Sequence, residues 1–176
     1  MKTKNYMPFR VLLFAAGILL APVISAQENI FIGLYPEVNA HTRDTSNTVS
    51  LGGGLLIGLG INQHFSAGIK TSFFYDLKTV SALEPQAFFR YCLPWRKENN
   101  GPYIQAEAGS IIYWEFGEVF PAFSGGLALG WRFSFAKNWY AEPIVRFGYP
   151  YIWGAGAAIG YKFNLKENKK QGGEKQ

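Results

Sequence analysis

The residues best suited to acid–base chemistry lie in one short polar stretch. His41 is followed by Thr42, Asp44 and Ser46, so a histidine, a carboxylate and hydroxyls lie within six residues. Hydrolytic sites use such a group, because the histidine takes the proton of the attacking hydroxyl while the carboxylate orients the ring. The second histidine, His64, lies alone in a short turn. Polar loops also contain these residue types by default, so a catalytic group and an ordinary loop are both open interpretations.

Other sites with a defined chemistry have weaker support. Asp44, Glu115 and Glu118 could contact a divalent cation, but solvated loop carboxylates are far more common than metal ligands. The sequence has no cysteine and histidine spacing typical of a metal site, no phosphate-binding glycine loop and no dinucleotide fingerprint. We therefore expect a non-enzymatic protein without catalytic, cofactor-binding or metal-binding residues.

A larger set of charged residues lies at alternating positions within apolar stretches. Successive side chains of a β-strand point to opposite faces, so alternation places these charges on one face and the apolar side chains on the other. The charged face collects five acids and five bases: Glu37, Asp76, Glu84, Glu107, Glu142, Lys70, Arg90, Arg132, Arg146 and Lys162. Equal numbers of each sign predict a network of ion pairs if this face is buried.

The alternation divides the chain into eight stretches that are separated by turn residues. The predicted strands are Asn29–Ala40, Ser50–Ile61, Phe65–Asp76, Leu83–Leu93, Pro102–Trp114, Phe123–Phe135, Trp139–Tyr149 and Trp153–Phe163. Each has about 11 residues, the length of a tilted membrane-spanning strand (~9–11). The turns 62–64 and 136–138 are short, whereas the connections 41–49, 77–82 and 115–122 are longer and charged. This pattern predicts an all-β, eight-stranded antiparallel up-and-down barrel that crosses a membrane.

The volume of the side chains indicates which face points inward. An eight-stranded barrel has an interior that is just wide enough for side chains to fill. The apolar face carries too many bulky residues for that space, whereas the other face combines glycine and alanine with long charged side chains. Aromatic residues also gather near the two ends of the strands on the apolar face, as in the girdles of membrane barrels. The opposite assignment, an apolar lumen, would describe a soluble lipocalin-like barrel.

Composition and the chain ends complete the prediction. Only 16% of the 176 residues are charged, below the ~25% of a typical soluble domain. The net charge of +5 comes from the ends, since residues 27–163 contain ten bases and ten acids, so we expect no nucleic-acid partner. Residues 1–26 are predicted to be a signal peptide, because Lys2, Lys4 and Arg10 precede the apolar stretch Val11–Ile24 and the small residues Ser25 and Ala26. Residues 27–163 then form the barrel and 164–176 a polar tail.

The last strand ends in Gly160-Tyr161-Lys162-Phe163, and Trp139–Pro143 leads to Tyr149–Gly154. Over residues 27–163 the sequence resembles the small eight-stranded outer-membrane barrels of Gram-negative bacteria, the class of the OmpA transmembrane domain and OmpX. The resemblance implies that Gly160, Tyr161 and Phe163 form a signal for the barrel-assembly machinery. It also implies a location in the cell outer membrane, contact with its lipid and lipopolysaccharide, and a monomer without cofactors. The residues after Phe163 depart from the class, in which the aromatic residue is often the last of the chain.

The sequence therefore predicts a non-enzymatic integral outer-membrane barrel with a plugged, charged interior and a structural or surface-contact role. Two alternatives stay open. An outer-membrane enzyme that modifies lipid would use the stretch around His41, and a periplasmic lipocalin-like carrier would hold apolar ligands in its lumen.

Overall fold

The computed structural model describes residues 29–43, 46–76, 81–94, 100–115 and 118–165, in which eight antiparallel strands form a closed barrel. The strands are β1 (Asn29–Arg43), β2 (Ser46–Gly60), β3 (Phe65–Asp76), β4 (Ser81–Cys92), β5 (Gly101–Glu115), β6 (Glu118–Ser134), β7 (Trp139–Tyr149) and β8 (Tyr151–Asn164). Each strand pairs with its neighbour in the sequence, and β8 closes the barrel against β1. The predicted all-β up-and-down barrel is confirmed. Within these ranges no helix is long and apolar enough to cross a membrane. The predicted signal peptide, 1–26, lies outside the described residues.

The two ends of the barrel are named here by their connections. The turn side carries the connections 61–64, 93–100 and 135–138, and the loop side carries the other four. The first turn is held by Asn62, whose side-chain oxygen accepts hydrogen bonds from the backbone N–H groups of His64 and Phe65, each at 2.8 Å. In the third, the N–H of Phe135 donates to the carbonyl of Trp139 at 3.3 Å. Both tight turns lie where the sequence predicts them.

Two of the predicted charged loops prove to be largely strand. β1 continues to Arg43 and β2 begins at Ser46, while β5 ends at Glu115 and β6 begins at Glu118. The prediction that 41–49 and 115–122 are loops is therefore wrong over most of their length. The reason is visible at the start of β6, where residues 118–121 are all exposed. Beyond the barrel wall neither face of the strand is buried. The backbone pairing therefore continues there without the alternation of apolar and polar residues from which a strand is predicted.

The outward face of the barrel is apolar around its circumference. Leu34, Ile69 and Leu127 are 57% to 67% exposed although they lie in the middle of their strands. The aromatic residues near the strand ends also point outward, as predicted: Phe65, Tyr91, Phe133, Phe135, Trp139, Tyr161 and Phe163 on the turn side, and Tyr75, Trp114, Phe123, Tyr149 and Trp153 on the loop side. Within the barrel wall, the more exposed and the more buried side chains that are described follow the predicted register, whereas the loop-side end of β6 does not alternate.

Several inward glycines lie beneath inward aromatic rings, a feature that sequence reasoning missed. A Cβ atom at Gly58 would overlap the ring of Phe31, and one at Gly130 would overlap the ring of Tyr103. These rings are almost fully buried. Rings from one strand thus occupy the space left by glycine on the next, beside the charged side chains of the lumen. Close packing of this kind leaves little freedom for volume changes.

Candidate functional site: the charged interior

The predicted charged residues whose side chains are described all point into the lumen. They are at most 8% exposed: Glu37, Lys70, Glu84, Arg90, Glu107, Arg132, Glu142, Arg146 and Lys162. Asp76 is the last residue of β3, and its side chain lies outside the described part. Charges removed from water in this way require partners, because an unpaired buried charge is strongly destabilising.

Two arginines and one glutamate form a cluster near the turn side, called here the turn-side cluster. Arg90 Nη1 donates to Glu142 Oε1 at 2.9 Å, and Arg132 Nε donates to the same oxygen. The strands bring them together because Arg90 and Arg132 lie near the ends of β4 and β6 while Glu142 lies near the start of β7. This cluster carries one more positive than negative charge.

Aromatic rings surround the two arginines of the turn-side cluster. The Arg90 guanidinium carbon lies 3.8 Å from the centroid of the Tyr103 ring, and that of Arg132 lies 4.4 Å from the rings of both Phe31 and Tyr140. The face of an aromatic ring is negative and attracts a cation, most strongly where water is excluded. The rings therefore stabilise the positive charge that Glu142 alone does not balance.

Five residues nearer the loop side form a second group, the loop-side cluster of Glu37, Lys70, Glu84, Glu107 and Arg146. Lys70 Nζ donates to both oxygens of Glu107, at 3.0 and 3.1 Å. Arg146 binds Glu84 through two parallel hydrogen bonds of 2.8 and 3.2 Å, and its Nη2 lies 3.1 Å from Glu107 Oε2. Glu37 Oε2 lies 3.6 Å from Arg146 Nη1. Three acids share two bases, so this cluster carries one more negative than positive charge.

Neutral side chains supply further hydrogen bonds to the acids of the loop-side cluster. Ser124 donates to Glu84 Oε1 and itself accepts a bond of 2.9 Å from Gln86 Nε2. Gln105 connects the two clusters, since its Oε1 accepts from Arg90 Nε at 2.8 Å while its Nε2 donates to Glu107 Oε1 at 2.7 Å. The roles of Ser124 and Gln105 were not predicted. Their only signal in the sequence is a polar side chain on the inward face of a strand.

The predicted assembly-signal residues divide between the two faces of β8. Gly160 points inward, where a Cβ atom would overlap the ring of Tyr140. Tyr161 points outward, with its ring centroid 5.4 Å from that of Trp139 and its hydroxyl accepting a bond of 2.7 Å from Asn138 Nδ2. Phe163 packs edge-on against Tyr161 at 4.8 Å. Nothing in these contacts tests recognition by other proteins, so the signal stays a prediction.

The side chains of the stretch around His41 lie outside the described part of the chain. The backbone of His41 pairs with that of Thr48, but the side chains of residues 41–48 are not described, and neither is residue 44. His64 lies on the opposite, turn side, where its Nδ1 is 3.3 Å from the carbonyl oxygen of Cys92. Among the described residues, no three His, Cys, Asp or Glu side chains are grouped so as to hold a metal ion.

Comparison with known proteins supports the fold. No protein-family model and no curated protein matches the chain. Among solved structures, the neisserial surface protein A (NspA) matches with a TM-score of 0.64 and 10% sequence identity, over 77% of this chain and 97% of that one. The N-terminal β-barrel domain of OprF from Pseudomonas aeruginosa matches with a TM-score of 0.49 and 15% identity, over 78% and 98%. At these identities the likeness to NspA establishes the fold alone. It is the small eight-stranded barrel that the sequence predicts.

Proposed function

We propose that the chain is an integral outer-membrane β-barrel without enzymatic activity, whose lumen is closed by its charged side chains. Its role is structural, or is the presentation of its loop-side connections for contact at the cell surface. It is a monomer that contacts outer-membrane lipid and lipopolysaccharide. It reaches the membrane after signal-peptide cleavage, with insertion by the barrel-assembly machinery through Gly160, Tyr161 and Phe163.

The single observation that carries the proposal is the outward apolar belt around a charged lumen. Soluble monomers rarely expose a contiguous apolar patch larger than a few hundred Å². Here the exposed apolar residues continue from strand to strand around the closed barrel. A lipid environment suits this surface, because a closed barrel pairs its backbone groups internally. The periplasmic carrier has the opposite requirement, an apolar lumen with a polar exterior.

The closed lumen is supported by burial along the barrel axis. The turn-side and loop-side clusters are almost entirely inaccessible, and rings such as Tyr103 and Phe74 fill the space around them. We infer from this burial that a hydrated solute has no continuous path through the barrel. A charged lumen of this kind suits a protein that acts through its ends, since an eight-stranded barrel is just filled by side chains.

Membrane fractionation of cells that express the full chain tests the location. We expect the protein in the outer-membrane fraction, extraction only by detergent, and a mobility on gels that shifts when the sample is boiled. The matched variants are Leu127→Arg on the outward face and Ala128→Leu on the inward face. Arg near the membrane midplane costs about 2–4 kcal/mol in a lipid-facing position. Release of the wild-type chain into buffer without detergent would overturn the proposal and favour the carrier.

Two further measurements test the closed lumen and the absence of catalysis. Reconstituted protein in planar bilayers should show no stepwise conductance, and steady open channels would contradict a closed lumen. Replacement His41→Ala should leave the composition of lipid A and phospholipid in the outer membrane unchanged. A change in lipid composition that depends on His41 would instead support the lipid-modifying enzyme.

A further inference from the structure

A small internal cavity is lined by members of both charged clusters. Its volume is about 20 Å³, and its wall includes Arg90 and Glu142 from the turn-side cluster and Glu37, Lys70 and Arg146 from the loop-side cluster. A cavity of roughly 10–15 Å³ by the same kind of measure is enough to hold one water molecule. The space is therefore suited to one small occupant and to nothing as large as a polyatomic ligand.

Two residues of the cavity wall each carry a buried polar atom without a hydrogen-bond partner in the described part of the chain. These atoms are Glu37 Oε1, an acceptor, and Arg90 Nη2, a donor. Both residues are at least 95% buried. Buried polar atoms are nearly always hydrogen-bonded, to protein or to ordered water, and each exception requires an explanation. One occupant that both donates and accepts would satisfy the two atoms together.

We propose that this cavity binds one water molecule, which accepts a hydrogen bond from Arg90 Nη2 and donates one to Glu37 Oε1. The water joins the turn-side and loop-side clusters by a second connection, in addition to Gln105. This inference concerns the interior alone and holds whether or not the barrel lies in the outer membrane.

The charges around the cavity distinguish water from the other small occupants. Three bases, Lys70, Arg90 and Arg146, outnumber the two acids of the wall, so a metal cation would meet a net positive charge. A halide ion would bind the Arg90 donor but would be repelled by Glu37 and leave its acceptor unpaired. Water carries no net charge and is able to bond to both groups.

Water contact with the methyl groups of the cavity wall is the first test. The full chain in detergent micelles, with labelled methyl groups, is examined by NMR for magnetisation transfer from water. Cross-peaks are expected at the methyls of Leu56 and Ala158, which line the cavity. The controls are Ile111 and Ala82, which are equally buried in a separate apolar group with Phe74 and Tyr151. Tyr35→Phe excludes transfer through the hydroxyl of Tyr35, because the cross-peaks should persist in this variant.

A double-mutant cycle is the second test. Glu37→Met removes the acceptor, and Arg90→Lys removes Nη2 while it keeps the charge. If one water joins them, the shifts in the urea midpoint should be non-additive for this pair. They should be additive for Glu37→Met with Arg132→Lys, because Arg132 does not line the cavity. Leu56 and Ala158 methyls without cross-peaks to water would overturn the proposal, as would an anomalous bromide peak in the cavity of bromide-soaked crystals.

Discussion

The turn-side and loop-side clusters hold opposite excesses of charge, and each is surrounded by the chemistry that suits its sign. Two arginines share one glutamate on the turn side, and the faces of Tyr103, Phe31 and Tyr140 surround them. On the loop side three glutamates share two bases, and neutral donors such as Ser124 contribute bonds. The comparison teaches that uncharged groups complete a buried charge network. The negative faces of aromatic rings surround the excess positive charge, and hydrogen-bond donors surround the excess negative charge.

The largest expected effect follows from the single acid of the turn-side cluster. Glu142→Gln leaves Arg90 and Arg132 without their shared carboxylate, and removal of one partner from a buried pair costs about 3–5 kcal/mol. Glu37→Gln should cost less, because Glu37 lies 3.6 Å from Arg146, and Arg146 keeps both Glu84 and Glu107. Urea unfolding in lipid vesicles, followed by tryptophan fluorescence, measures both. Equal losses would show that the two clusters do not differ in how their charges are shared.

The next effect concerns the position of the ring beneath Arg90. A Cβ atom at Gly130 would overlap the Tyr103 ring, so Gly130→Ala must displace that ring or the backbone. Overpacking in a filled interior costs about 1–3 kcal/mol. The matched control is Gly53→Ala on the outward face, where the nearest atom to a Cβ is 3.1 Å away. The temperature at which the gel mobility shift occurs should fall further for the first variant than for the second, in which the Tyr35 carbonyl has to move by only a few tenths of an ångström.

A smaller effect distinguishes the contribution of the Tyr103 ring face to stability from that of its hydroxyl. Tyr103→Phe loses only the hydrogen bond of 3.3 Å to Glu142, whereas Tyr103→Leu also loses the aromatic face over Arg90. The leucine variant should be less stable than the phenylalanine variant by about 2 kcal/mol, the size of a desolvated cation–π contact. The free energy of unfolding of both variants in vesicles tests this. Identical stabilities would mean that packing, and not charge, is what the ring provides.

The smallest effect is expected at the second arginine of the turn-side cluster. Arg132→Met leaves Glu142 paired with Arg90 at 2.9 Å, so no acid becomes unpaired. Because the substitution also removes the excess positive charge, we expect a loss of about 1 kcal/mol or less. The same urea titration compares it with Glu142→Gln. A loss as large as that of Glu142→Gln would show that Arg90 alone does not stabilise the buried glutamate.

Strand number and the separation of charged from apolar faces follow from the sequence, because one face of every strand is apolar and the period is two. The in/out assignment follows from volume, because the bulky apolar face does not fit inside an eight-stranded barrel. The same reasoning fails beyond the barrel wall. The sequence around Glu115 and Glu118 loses its alternation where both faces become exposed, although the backbone remains paired there.

The partners within the lumen could not be predicted from the sequence. Arg146 meets Glu84 across 62 positions and Arg90 meets Glu142 across 52. Which inward residues share a level depends on the stagger between strands around the barrel, and this is a property of the closed sheet. Equal numbers of acids and bases predict pairing but not the division into two clusters with opposite excess. The rings above the glycines were missed for a related reason, because an aromatic residue favours either face of a strand.

The seam of the barrel places the two ends of its sheet side by side. Asn29, the first residue of β1, pairs directly with Asn164, the last residue of β8. A short linker between them would make the polypeptide chain continuous around the closed sheet, and opening that chain at the connection 135–138 would create a permutant that begins with β7. Every ladder and both charged clusters would be kept, while the pairing of β1 with β8 would become local and that of β6 with β7 would become the closure between distant segments. Since closure between distant segments slows folding, the permutant reports whether that seam limits assembly.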